Sequence, residues 1–233
     1  GELILEGQNP RIEALTFKLD GKVIFRSGTL PKTFLSSTYA DAGKPNQVTD
    51  LELQGTQNLS LPSPFFVKED LIQSGSGVFN LTPTDLHFIG NLSQNIQGFA
   101  LTTRNLTVNK TGGKVNLNQN LSVSQTLTMQ NGILNFKENE LFLNSSSIGG
   151  LVYSGGSWEQ LRQIQYFSVP LILNSTNATF PFADRYQKGI RKVQLLGNTN
   201  RENLRISFTE YDGAEYNSGF DDNDGTPILY RLF

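Results

Sequence analysis

His87, in the stretch Leu86-His87-Phe88, is the only histidine among 233 residues. It is therefore the one side chain whose ordinary pKa puts a proton transfer near neutrality. A catalytic histidine needs a nucleophile on one side and an orienting acid on the other. Asp85 lies two residues away and falls on the same strand face, and no Gly-x-Ser-x-Gly turn is present to display a serine. The plainer reading is a solvent-facing strand histidine. Carboxylate pairs for glycoside hydrolysis could be drawn from Glu138, Glu140, Asp184 or Glu210. Nothing in the sequence brings two of them together, and Glu138 and Glu140 read as solubilising residues of a turn.

The run Phe220-Asp221-Asp222-Asn223-Asp224-Gly225 has the oxygen density that a hard cation wants. The EF-hand pattern fails, because alignment on Gly225 puts Phe220 at the first ligand position and Arg231 at the twelfth. Asp221, Asp222 and Asp224 remain candidates for a different calcium cage, against an acidic solvated loop. The chain has no cysteine, which removes thiolate zinc sites, disulfides and cysteine nucleophiles together. No cofactor is expected. Tyr153, Trp158 and Tyr166 could stack on sugar rings. Aromatics at a domain junction more often cover an exposed core end, and that role is expected for Tyr153 and Trp158. Asn-x-Ser/Thr recurs at Asn58, Asn80, Asn91, Asn105, Asn109, Asn120, Asn144, Asn174 and Asn177. It looks like a glycosylation array, yet it also arises wherever Asn marks turns and Thr alternates on a strand.

The elements that would carry these residues are strands. In residues 115–144 apolar pairs recur every six or seven residues: Val115/Leu117, Leu121/Val123, Leu127/Met129, Leu134/Phe136 and Leu141/Leu143. Period-two alternation is the strand signature. Helical spacing is nearly absent, with Trp158–Gln165 the single short exception, so the chain is all-β. Asn131-Gly132 would suit an antiparallel hairpin. Steps of six or seven taken three at a time instead give turns of about twenty residues, the range of a parallel β-solenoid. Asn-Leu-Ser/Thr at 58, 80, 91, 105 and 120 supports the repeat. Stacked parallel strands are expected over 48–150, with Leu106, Val108, Leu121, Val123, Leu127, Met129 and Leu141 inward.

After residue 150 the texture changes to Gly and Ser beside aromatics, then longer strand candidates. Two domains are expected: residues 1–150 as a β-solenoid, and 151–233 as a junction followed by a small antiparallel β-sandwich. Its core should hold Phe167, Leu171, Phe180, Phe182, Val193, Leu195, Ile206 and Phe208. Charged residues make up only 17% and the net charge is −2. That balance offers no basic face to nucleic acid, and no apolar run is long enough for a transmembrane helix. Because the sequence starts on Gly1 without a targeting segment, it reads as a mature product or a piece of a longer protein.

The blocks "LNQNLSVSQTLTMQNGILNFKENELFL", "GGSWEQLRQIQYFSVPL" and "TFPFADRYQKGIRKVQL" resemble secreted and surface adhesin-like β-repeat proteins of Bacteroidetes, over about residues 105–215. The chain departs from that pattern at Ala183 and Gln187, where such proteins often carry Gly. The resemblance implies export by the type IX secretion system, a secreted or cell-surface location, and partners among surface glycans, cell-surface proteins and the secretion machinery. The expected function is non-enzymatic: an extended rod for adhesion or display. The alternatives are a carbohydrate-active β-helix enzyme or carbohydrate-binding module, and a structural filament subunit.

Overall fold

The computed structural model describes residues 1–8, 10–12, 16–17, 20–26, 32–34, 38–39, 46–144, 150–184 and 189–209. Among them there is no helix, and the chain winds as a parallel β-solenoid of about 7 turns. At about 4.8 Å between hydrogen-bonded strands, that is a rod about 34 Å long.

Register fixes the winding. Leu51 pairs with Leu71, Leu71 with Ile96 and Ile96 with Leu117, all parallel. A second wall runs Phe65–Leu86–Leu106–Leu127–Leu151, and a third Leu101–Leu121–Leu141–Ile164. Alternation sends one parity of each strand inside. All ten residues of the five pairs in 115–144 are buried, as are Leu106 and Val108. The long strands Leu101–Leu117 and Leu121–Asn135 each bend through corners and contribute to all three walls. Asn131-Gly132 is such a corner. No hairpin forms there, because residues 121–129 pair parallel with the turns on either side.

Corners bring backbones of successive turns together, and there a side chain is an obstruction. At Gly113 (φ 64°) a Cβ would sit 2.4 Å from the carbonyl carbon of Leu92. At Gly156 (φ 87°) it would sit 2.5 Å from the Gly132 carbonyl oxygen. Glycine answers both the conformation and the crowding.

The parallel stack does not stop at residue 150. Gly150–Tyr153, Ser157–Glu159 and Gln163–Phe167 each pair parallel with the preceding turn, and Trp158 registers with Phe182 on the next. Among the described residues antiparallel pairing appears in three places, one of them a separate two-stranded ladder of Ile172–Leu173 with Gly197–Asn198. Leu204–Ser207 lies on Gln163–Phe167, and Gly189–Gln194 lies on Thr179–Asp184. These two additions extend the solenoid's own sheet, so the described part of the segment expected as a sandwich, which ends at residue 209, caps the solenoid. Of its expected core, Phe180 and Phe182 are buried. Phe167, Val193, Leu195, Ile206 and Phe208 are half-buried, and Leu171 is exposed. The alternation of Phe180 and Phe182 is satisfied against Trp158 on the preceding turn of the solenoid.

Candidate functional site

Where the parallel ladder breaks at a corner, a backbone N–H can be left without a main-chain acceptor and must find another. At several corners a side-chain oxygen one turn earlier supplies it. Asp50 Oδ1 accepts the N–H of Asp70 (2.8 Å), and Asp70 Oδ1 that of Asn95 (2.7 Å). Asn58 serves Val78, Asn105 serves Thr126 and Asn120 serves Glu140, each at 3.0 Å. Ser63 and Ser93 do the same for Asp85 and Lys114. Three of the five Asn-Leu-Ser/Thr motifs are thus turn-to-turn bridges, which accounts for their recurrence without glycosylation.

On one wall these bridges merge into a column: Asp50, Asp70, Asn95, Asn116 and Asn135. Asn95 Nδ2 donates to Asp70, Asn116 Nδ2 to Asn95 (3.2 Å), and Asn135 Nδ2 to Asn116 (3.2 Å). Other outward carboxylates are likewise engaged. Arg104 holds Asp85 through two bonds of 3.0 Å, with Asn105 adding a third at 2.7 Å. Burial alone would raise the Asp85 pKa, but the Asn105 and Arg104 bonds outweigh it and hold it below the ordinary value. Glu52 behaves similarly: burial is opposed and overcome by Lys22, Ser74 and Gln54. Lys114 pairs with Glu159, and Arg162 with Glu140.

Beside the head of the column lies an open groove of about 510 Å³, lined by Asp20, Thr49, Asp50, Lys68, Glu69 and the Gly90–Leu92 corner. Glu69 behaves differently from Asp85 and Glu52. Burial, followed by the charges of Asp50 and Asp70, raises its pKa, with Lys110 and Lys68 opposing. Lys110 is fully buried and donates from Nζ to the Ile89 carbonyl (3.1 Å). Burial pushes its pKa down to about 8, against the pull of Glu69. Gln94, also buried, donates to the carbonyls of Val67 (2.9 Å) and Glu69 (2.8 Å), fastening the groove wall.

The residues singled out from sequence lie elsewhere. His87 is outward on its strand and stacks on Phe66 one turn below, with ring centroids 4.4 Å apart. Its neighbour Asp85 is committed to Arg104. Trp158 is buried between Phe180 and Phe182, at 6.3 and 6.1 Å. Tyr166 is buried too, its hydroxyl accepting the N–H of Leu151 (3.0 Å). Neither ring offers a face to a sugar, which corrects their candidacy as glycan platforms. Tyr153 is half-buried, donates its hydroxyl to the Gly156 carbonyl (3.1 Å), and carries the Lys192 ammonium 5.6 Å from its ring centre. Asp221, Asp222, Asp224 and Glu210 lie outside the described residues, as does the side chain of Asp184. Among the described residues no cluster of three His, Asp or Glu side chains is arranged to hold a metal ion.

Sequence reasoning missed Asp50, Asp70, Glu69, Lys110 and Gln94. Parity held a signal for two of them: Lys110 follows Leu106 and Val108 at steps of two, and Gln94 precedes Ile96. The Asp50–Asp70 adjacency had none, since it depends on the length of each turn. No family model, curated protein or solved structure matches this chain.

Proposed function

We propose that this chain is a non-enzymatic segment of a secreted or cell-surface bacterial protein, an extended β-rod for adhesion or display. The observation that carries the reading is the use to which the outward polar groups are put. Asp50, Asp70 and Asp85 spend their oxygens on the next turn's backbone or on arginine. A glycosidase needs one carboxylate free to protonate and another free to attack or to activate water; carboxylates that bridge turns serve rigidity instead. A stiff rod with rows of amides and hydroxyls adds many weak contacts through effective concentration when several copies are displayed. Export by the type IX route and surface glycans or surface proteins as partners belong to the same proposal.

Glu69 favours a second reading, a carbohydrate-active site in the groove. A carboxylic acid with a raised pKa beside two aspartates in a cleft has the character of a general acid. One experiment separates the two. Reducing-end and unsaturated-uronide assays across common polysaccharides should stay at background, while a glycan array read with the multimerised chain shows retention that the monomer lacks. Turnover abolished by Glu69→Gln would overturn the rod and establish the enzyme.

A further inference from the structure

Asn58, Asn105 and Asn120 share one feature: each Oδ1 accepts a backbone N–H of another turn. Asn131 is different. Its Oδ1 accepts the N–H of Gly132, its own successor in the chain, at 2.9 Å. Since a carbonyl bond is about 1.23 Å long, the Gly132 nitrogen is no farther than about 4.1 Å from the Asn131 Cγ. Asn131 is exposed to water. Gly132, at φ 102°, has no side chain to shield that carbon. It is also the only Asn-Gly step in the sequence.

From this geometry we propose that Asn131 is a site of spontaneous deamidation through a cyclic imide. The Gly132 amide nitrogen loses its proton and adds to the Asn131 Cγ. The bond from Cγ to Nδ2 breaks, and ammonia leaves with the proton. One water molecule then opens either carbonyl of the five-membered ring, giving aspartate or isoaspartate. No oxidant or reductant takes part. The product adds a negative charge to the corner and, in the iso form, one extra main-chain carbon. That carbon enters where the next turn leaves no slack, since a Cβ on Gly156 would already meet the Gly132 carbonyl oxygen at 2.5 Å. By contrast, Asn58, Asn105 and Asn120 have their side-chain oxygens tied to the following turn and are held away from their own successors.

The test is peptide mass spectrometry of the full chain aged in mildly alkaline buffer made with heavy-oxygen water. The peptide containing 131–132 should take up one heavy oxygen and lose ammonia at least about tenfold faster than any bridging asparagine, a barrier lower by about 1.4 kcal/mol. The Asn131→Gln variant, which would need a less favourable six-membered ring, should fold alike and lose the signal. The proposal is overturned if the native chain converts Asn131 no faster than Asn105 or Asn120. It is equally overturned if conversion occurs only in the urea-unfolded chain, or if Asn131→Gln leaves the signal in place.

Discussion

Replacing Leu121 by Ala tests the solenoid at a fully buried ladder position. Leu121 is fully buried and stands in register between Leu101 and Leu141, so its side chain is gripped from both neighbouring turns. The substitution removes three carbons, worth about 2.4 kcal/mol at roughly 0.8 per buried methylene. If the ladder relaxes only partly, a void of about 50 Å³ adds about 1.2 kcal/mol at about 24 cal/mol per Å³. The expected loss is therefore about 3.6 kcal/mol. Because each turn touches only its neighbours, the loss should be local. Hydrogen exchange read by mass spectrometry should show protection falling in 101–103, 121–123 and 141–143, and much less in Asp50–Leu53. Ser122→Ala on the same strand's outer face should change stability by no more than about 0.5 kcal/mol. If Leu121→Ala costs no more than Ser122→Ala, or if protection falls evenly along the whole chain, the stacked-turn account is wrong.

Other expectations follow from single groups. Lys110 has a folded pKa of about 8 against an ordinary 10.5, so between those values the unfolded chain binds more protons and stability rises with pH. Urea unfolding of wild type and Lys110→Met should therefore show a gap that changes in the wild type's favour across that window and is constant below it. Glu69 has the opposite sign: its raised pKa means the folded state binds more protons, so stability falls as pH climbs from the ordinary carboxylate value through the raised one. Glu69→Gln should abolish that fall, and an unchanged profile would remove the groove's electrostatic account. Asn116→Ala breaks one bond to Asn95 and one from Asn135 and should cost about 1–2 kcal/mol by denaturant unfolding. Trp158 fluorescence should be blue-shifted and resist acrylamide, because the indole is fully buried; a red-shifted, freely quenched band would contradict its packing on Phe180 and Phe182.

The winding was legible because period two and a twenty-residue repeat are both written in the apolar residues, and every pair in 115–144 went inside as the alternation requires. What alternation cannot carry is the count of residues at each corner. Bridged residues lie 20, 25, 21 and 19 apart along the Asp50-to-Asn135 column, so which polar residue stacks on which is hidden until the corners are built. The cap shows the same limit. Phe180/Phe182, Val193/Leu195 and Ile206/Phe208 alternate as strands should, but alternation does not say which sheet they join. From sequence, Trp158 is expected to be covered at a domain junction and Tyr166 is a candidate sugar-stacking ring; neither reading names the ladder the residue belongs to. The registers Trp158↔Leu134 and Tyr166↔Leu143 continue two apolar ladders, and ladders go inside.

The bridges between turns point along the rod, and that has a mechanical consequence. A pull along the axis does not shear these bonds as a group; it opens them turn by turn. A freed turn of 19 to 25 residues extends to about 65–90 Å, where in the stack it occupied about 4.8 Å. One released turn therefore lengthens the chain by about twice the span of the folded rod. Under load the object is stiff until a turn lets go, then yields a long stretch of slack, so a sudden tug is absorbed in discrete steps.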